Sequence, residues 1–209
     1  LVKLNNRAVK DITSLGVGTG DLVFLAKQSI TSPVSSVNFV HGSGGVDFTS
    51  YKEYIFYFVN LHPNSNSEPD IKVNFSTDGG SNYNVTKTST GFYARHAENN
   101  DFASIAYEAA WGLAQSTGNQ LVGHNMEGAD ADASLCGSLQ LFNPSSTTFV
   151  KHYIGTVSYM HDYPSAWNQF FAGYCNTTSA IDAVSFIGEY AEGTSGNIDS
   201  GDILLYGVN

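Results

Sequence analysis

Histidine is the residue best suited to proton transfer and metal binding near neutral pH, so its spacing bears directly on chemistry. The six histidines are spread singly along the chain: His41, His62, His96, His124, His152 and His161. No H-E-x-x-H or H-x-H pair brings two of them together, which argues against a zinc centre. No G-x-S-x-G turn presents a serine nucleophile, and sequence alone pairs no two carboxylates as glycosidase acids. We therefore predict no catalytic residues, no cofactor and no enzymatic activity.

Acidic residues cluster at 127–132 (EGADAD) and at 197–202 (NIDSGD). Calcium sites need several oxygen ligands on a tight loop, and neither segment completes an EF-hand pattern. The sequence favours solvated loop acids, with a calcium or magnesium site as the alternative, and we predict no bound metal. Cys136 and Cys175 each lie in an apolar, strand-like run, which predicts buried free thiols rather than a disulfide.

Aromatic residues are dense in one stretch near the C-terminal third of the chain. Tyr159, His161, Tyr163 and Trp167 lie in or beside a loop at 160–168. Exposed aromatic rings stack on sugar faces or anchor protein interfaces. These four residues are therefore candidate contacts for a glycan or a partner protein, with packing in the core or between subunits as the alternative.

The elements that position these residues follow from composition and patterning. The 209 residues are 42% hydrophobic but only 13% charged, and they include 21 glycines and 25 Phe and Tyr (13 Phe, 12 Tyr). Short apolar runs separated by turn residues predict about ten strands and an all-β, jelly-roll-like two-sheet sandwich. We place strands at 21–28, 34–40, 51–60, 71–76, 82–87, 135–142, 149–158, 168–176, 181–187 and 202–208. One alanine-rich segment at 101–114 predicts a short helix, the only one expected.

Residues 1–20 differ from the remainder of the chain. Lys3, Arg7 and Lys10 make this segment basic, and it ends in glycines spaced two apart. We predict a flexible attachment arm, with an edge strand as the alternative, in front of a sandwich domain at 21–209.

The run YIFYFV at 54–59 is apolar at every position, so both faces of the predicted strand are apolar. A sandwich strand normally shows polar residues on its outer face. Something must therefore cover Ile55, Tyr57 and Val59: the helical segment, the arm, or another subunit. We favour a subunit contact and treat these three residues as a candidate interface strand.

The segment 76–83 (STDGGSNY) fits the S-x-D-x-G-x-x-aromatic pattern of an Asp-box. In that pattern the aspartate binds backbone amides of the turn and the aromatic ring packs beneath it. We predict that Asp78 and Tyr83 have this structural role in a plain hairpin turn.

The net charge of −10 limits the partners of the chain. An acidic surface repels phosphate backbones and anionic lipid, so we predict neither nucleic-acid nor membrane binding. No run of apolar residues is long enough for a membrane-spanning helix.

Several phrases resemble uncharacterised virion proteins of tailed bacteriophages that infect marine bacteria. They are LNNRAVKD (4–11), YKEYIF (51–56), NLHP (60–63), DGGSNY (78–83), FNPSSTTFVKH (142–152) and GDILLYG (201–207). The phrase at 142–152 is specific, whereas the last is moderately so, since many phage fibre and decoration domains end similarly. The resemblance covers most of the chain and carries no catalytic motif.

The resemblance implies a virion structural protein, exposed as a capsid decoration (cement) or tail-fibre domain and acting by assembly and surface contact. Other virion proteins are then its partners, and a homo-oligomer is expected, a trimer by analogy with fibre domains. The alternative is a tail-spike domain that binds or cleaves a glycan of the host surface.

Overall fold

The computed structural model describes residues 22–64, 69–190 and 196–209. In these ranges the only helical element is one turn of 3-10 helix at Ala109–Trp111. The strands are β1 (Leu22–Ile30), β2 (Ser36–Val40), β3 (Glu53–Pro63), β4 (Asp70–Ser76), β5 (Lys87–Ala97), β6 (Ala103–Tyr107), β7 (Gln120–Gly123), β8 (Leu135–Phe142), β9 (Lys151–His161), β10 (Ser165–Cys175), β11 (Ala183–Glu189) and β12 (Ile198–Val208).

The described strands form two antiparallel sheets. The eight-stranded sheet has the order β1-β12-β3-β8-β9-β10-β5-β6, and the four-stranded sheet has the order β2-β11-β4-β7. Alternate residues of each sheet face the other sheet and form one hydrophobic core, in which the rings of Phe39, Phe56 and Phe186 meet edge to face at 5.2–6.2 Å. The predicted all-β, two-sheet sandwich is confirmed, with twelve described strands instead of about ten.

The helix predicted at 101–114 is wrong. This segment forms the edge strand β6 and then the 3-10 turn. Ala106 packs against the core, whereas Ile105 and Tyr107 on either side are exposed, which is the alternation of a strand. Pairing along β5 satisfies backbone groups that would otherwise be left open at the edge of the sheet.

The strand predicted at 82–87 is also wrong. Residues 82–86 form no strand, and β5 begins at Lys87 and runs for 11 residues. The preceding turn keeps the predicted contact of Asp78 with a backbone amide, because its carboxylate accepts from the Asn82 N–H at 2.9 Å. The same carboxylate accepts from the Ser76 hydroxyl at 2.8 Å. The turn is not a hairpin, however, since it joins β4 of the small sheet to β5 of the large one.

The two faces of β3 are not equally covered. Tyr54, Phe56 and Phe58 point into the core and are at most 2% exposed. On the outer face Ile55 is buried but Val59 is 42% exposed, so burial of both faces holds for only part of the strand. The segment 101–114 cannot supply the cover, because β6 lies five places from β3 along the sheet.

Part of the outer cover of β3 comes from neighbouring strands. The ring of Tyr57 packs edge to face on Tyr206 of β12 (5.7 Å), and Tyr206 packs on Phe24 of β1 (5.6 Å). Aromatic side chains on adjacent strands thus shield one another without a second layer.

Candidate functional site

A cleft opens between the two sheets, with a volume of about 500 Å³. Side chains from β4 and β7 line it on one side, and side chains from β5, β10 and the end of β9 line it on the other. The 3-10 turn contributes a tryptophan. The lining residues with chemical or stacking capacity are Asp70, Lys72, Tyr93, Arg95, Glu108, Trp111, His124, His161 and Trp167.

Aromatic rings form one wall of this cleft. The rings of Tyr93 and Trp167 lie 4.4 Å apart, and Trp111 lies 5.0 Å from Tyr93. His161 stacks on Trp167 at 4.4 Å with an interplanar angle of 15°. The rings of Tyr93, Trp111 and Trp167 are each 5–8% exposed, so they are closely packed and each offers only a small area to a ligand.

Strand pairing and a local turn position these rings. Tyr93 and Arg95 are two residues apart on β5 and therefore face the same side, where Trp167 of β10 lies directly opposite Arg95. Trp111 reaches the wall because Glu108 caps the 3-10 turn, with its carboxylate accepting from the Ala110 N–H at 3.3 Å.

Asp70 and His124 form a hydrogen-bonded pair in the cleft. Asp70 Oδ1 lies 3.0 Å from His124 Nδ1 and also accepts from the Asn125 backbone N–H at 3.0 Å. Burial alone raises the pKa of Asp70, but these hydrogen bonds and the charge of Lys72 outweigh it and lower the pKa. Asp70 is then a carboxylate that only accepts, so the His124 Nδ1 that faces it carries a proton and Nε2 is the ring nitrogen left for a ligand.

Two cations complete the polar lining. Lys72 Nζ lies 2.8 Å from Glu189 Oε1 and 3.3 Å from Asp70 Oδ2, so two carboxylates compensate its charge. The Arg95 guanidinium is held mainly by aromatic faces, 5.2 Å from the centre of Trp167 and 4.7 Å from that of Phe102. Arg95 Nε–H also donates to Ser104 Oγ at 3.1 Å. The stacking and this hydrogen bond fix the plane of the guanidinium and leave its terminal N–H groups for a ligand.

His161 is the second imidazole of the cleft, and its ring centre lies 6.5 Å from that of His124. Its Nδ1 contacts the Asp162 carboxylate. Burial lowers the pKa of His161; the charge of Asp162 opposes this effect, and the charges of His124 and Arg95 reinforce it. The lowered pKa favours the neutral form of His161.

The structure brings together two of the four predicted aromatic contacts. His161 and Trp167 line the cleft. Tyr159 lies in the core, where its hydroxyl hydrogen-bonds Gln169 Oε1 at 3.2 Å and burial raises its pKa, so Tyr159 is not a surface contact. Tyr163 is 49% exposed and packs beside Phe102, apart from the cleft lining.

The basic residues of the predicted arm and the two cysteines were also singled out from the sequence. Lys3, Arg7 and Lys10 lie outside the described residues. Cys136 and Cys175 are both free thiols, as predicted, but Cys136 is exposed.

The acidic cluster at 197–202 has basic partners from other strands. Asp199 lies 2.7 Å from His62 Nδ1, and Asp202 lies 2.7 Å from Lys27 Nζ. Over the described ranges, no three His, Cys, Asp or Glu side chains are grouped to hold a metal. In the same ranges no helix has the length and apolarity needed to cross a membrane.

Sequence reasoning missed most of the cleft. Asp70 and His124 are separated by 54 positions, and only the antiparallel pairing of β4 with β7 brings them together. Trp111 was hidden by the mistaken helix. One available signal was the alternation of Tyr93 and Arg95, which places an aromatic ring and a cation on the same face of a strand.

Comparison of this chain with protein families, with curated proteins and with solved structures found no match.

Proposed function

We propose that this chain is a carbohydrate-binding domain and that the cleft holds the sugar. The observation that carries this proposal is the convergence of an aromatic wall with carboxylate, guanidinium and imidazole groups in one cleft of about 500 Å³. That volume lies within the range of about 300–1,000 Å³ typical of small-ligand sites. Sugars offer C–H faces to aromatic rings and hydroxyl edges to donors and acceptors, and the cleft provides both kinds of contact.

The polar groups suit hydroxyls in particular. Asp70 is held ionised and accepts, Arg95 donates, and His124 presents its Nε2. A hydroxyl both donates and accepts, so neighbouring hydroxyls of one ring can satisfy all three residues. The limited exposure of the rings favours a small saccharide or the end of a chain over a long extended strand.

The test is a glycan array followed by titration calorimetry of the saccharides that bind. We expect Arg95→Ala and His161→Ala each to weaken binding by about tenfold or more, which corresponds to about 1.4 kcal/mol. Lys52→Ala is the matched control, because it removes an exposed cation outside the cleft. Absence of saccharide binding, or equal binding by all three variants, would refute the proposal.

Glycan cleavage is a second candidate, and the Asp70–His124 pair favours it. A carboxylate that holds one imidazole nitrogen protonated leaves the other nitrogen as a general base. If the cleft cleaves its ligand, new reducing ends appear with time, and His124→Ala lowers their rate of formation far more than it weakens saccharide binding. Binding without product release leaves the carbohydrate-binding function alone.

We propose a bacteriophage particle as the setting, with the domain exposed as a capsid decoration or tail-fibre component that meets host-surface glycan. The phrases that resemble marine phage virion proteins support this proposal, above all the one at 142–152. The charge-poor β-sandwich suits a part that assembles once and persists. Peptides of this chain in purified particles, and its density in a map of the particle, are the expected result; their absence from particles would contradict it.

A further inference from the structure

The outer face of β9, β10, β5 and β6 carries no lysine, arginine, aspartate or glutamate. Alternate residues of these strands point away from the core, and their pairing defines the face. By strand, the outward residues are His152, Ile154, Thr156, Ser158 and Met160; Ala166, Asn168, Phe170, Ala172 and Tyr174; Thr88, Thr90, Phe92, Ala94 and His96; and Ala103, Ile105 and Tyr107. We call this surface the outer apolar face.

Large apolar side chains on this face are open to solvent. Ile105 is 78% exposed, Tyr107 64%, Ile154 49% and Phe92 45%. The rings of Phe92 and Phe170 stack at 4.8 Å with an interplanar angle of 10°. Contiguous exposed apolar area of this kind marks an interaction surface in a stable protein.

We propose that the outer apolar face binds the same face of a second copy of this chain, forming a two-fold symmetric dimer. Charge is the first argument. Each chain carries −10, so two copies repel wherever charged surface meets charged surface. On the outer apolar face no ionised carboxylate, ammonium or guanidinium group has to be desolvated or opposed by its symmetry mate.

Size is the second argument. Three strands of 11 residues and one of 5 make up the face. At about 3.3 Å per residue and about 4.8 Å between strands, its flat area is roughly 600 Å². Side chains that protrude from the sheet increase the accessible area above this flat value. A standard stable interface buries about 800 Å² per partner. The face therefore has the area that a dimer needs.

Shape is the third argument. A shallow apolar depression of about 180 Å³ lies beside the stacked rings, between Phe92 and Phe170 on one side and Ile154 on the other, over the small residues Thr90 and Ala172. A raised feature next to a depression is self-complementary under a two-fold axis, since each copy can place its rings in the depression of the other. Two twisted sheets stack in this way at about 10 Å in β-sandwiches.

The outer apolar face is separate from the predicted interface strand. Ile55, Tyr57 and Val59 lie on β3, which β8 separates from β9 in the same sheet. The proposed dimer is also independent of carbohydrate binding. The cleft is lined by side chains on the inner side of the sheet, so dimerisation leaves it open.

The experiment measures the mass of the full 209-residue chain by sedimentation equilibrium over a wide range of concentrations. We expect twice the 22.4 kDa of one chain. Ile105→Asp and Ile154→Asp each bury a charge at the dimer interface and should weaken self-association by about a hundredfold or more. Both sites are exposed in the monomer, and an unchanged thermal transition confirms that each variant folds.

Val59→Asp is the matched control, since it places the same charge on the same side of the sheet at 42% exposure. It should leave the dimer intact. A wild-type mass of one or three copies overturns the proposal. So does a dimer that survives both isoleucine changes, or one that Val59→Asp dissociates, because the contact would then lie elsewhere.

Discussion

Lys87 is fully buried between the sheets. Its ammonium donates to Asn74 Oδ1 at 2.6 Å and to the Val85 carbonyl at 2.7 Å. Burial lowers its pKa from 10.5 to about 8. A neutral amine still has two N–H groups, which suffice for both acceptors, so deprotonation removes the desolvation cost without breaking either contact.

The contribution of Lys87 to stability should therefore rise with pH between 8 and 10.5. In that window the unfolded chain keeps the Lys87 proton and the folded chain has lost it, so the unfolded state binds more protons and the free energy of unfolding increases. The Cys175 thiol acts in the opposite direction above pH 9, because burial raises its pKa from 9.0 to about 12. The gain attributable to Lys87 is about 3 kcal/mol at most, from about 1.4 kcal/mol per unit of pKa. Urea unfolding at several pH values measures it.

Lys87→Met is the reference for this measurement, because it removes the titrating group while keeping much of the apolar side chain. In this variant Asn74 Oδ1 and the Val85 carbonyl lose the hydrogen bonds donated by Lys87. The resulting loss of stability is the same at every pH in this range. The difference in stability between wild type and variant should grow from pH 8 to 10.5. A constant difference would mean that Lys87 does not titrate in this range.

At the residue scale, side-chain type was a poor guide to burial. Lys87 and Lys151 are both inaccessible to solvent, although lysine is normally exposed. Lys151 donates to the carbonyls of Thr177 (3.1 Å) and Ser179 (2.5 Å), residues more than 25 positions away along the chain. Strand alternation predicts that Lys151 lies on the same face as buried Tyr153. It does not predict the carbonyl acceptors of its ammonium, because only the folded chain brings Thr177 and Ser179 beside Lys151.

The pairing of β9 with β10 depends on a large residue opposite a small one. Phe171 lies directly across from Gly155, and a Cβ added at Gly155 would stand 2.1 Å from Phe171 Cζ. Phe171 is 2% exposed and packed in the core, so relieving this contact requires its ring and the neighbouring core side chains to shift. We expect Gly155→Ala to destabilise the protein by about 1–3 kcal/mol through overpacking.

A double-mutant cycle tests this expectation by urea unfolding. Phe171→Leu replaces the ring with a smaller side chain. It should therefore destabilise the protein less in the Gly155→Ala background than in wild type, which gives a favourable coupling energy. Thr156→Ala is the control, because the next residue along β9 points outward and should change stability by only about 0.5 kcal/mol. Purely additive effects of the two changes would show that the contact does not limit packing.

At the element scale, short apolar runs bounded by turn residues were a better guide than alanine-rich composition. The run at 71–76 predicted β4, which spans Asp70–Ser76. Alanine-rich composition at 101–114 suggested a helix, but the open edge of β5 selected a strand there. Propensity is a weak preference that an unsatisfied sheet edge overrides. The same mistake hid Trp111, so an error in one element became an error about the candidate site.

At the scale of the whole molecule, the two sides of the large sheet have separate roles. Its inner side forms the core and one wall of the cleft, whereas its outer side carries the outer apolar face. The sequence predicted two packed sheets and an acidic chain that avoids nucleic acid. The location of the cleft required the order of strands within each sheet, which joins elements far apart in the chain and which hydrophobic periodicity does not encode.

Residues 1–20 should be dispensable for folding. The described sheets begin with β1 at Leu22, which pairs with β12 at one edge of the large sheet. Twelve strands and the core between them lie within the described residues. We therefore expect a chain lacking residues 1–20 to unfold in one cooperative thermal transition, with a midpoint close to that of the full chain.

A second truncation, lacking residues 1–30, serves as the comparison in which a loss of stability is expected. It removes all of β1, including the buried side chains of Ala26 and Ile30, and leaves the edge of β12 unpaired. Loss of these core contacts and of a whole ladder of hydrogen bonds should lower the midpoint by several degrees or abolish the transition. If the shorter truncation already behaves in this way, residues 1–20 belong to the folded domain and the predicted arm is wrong.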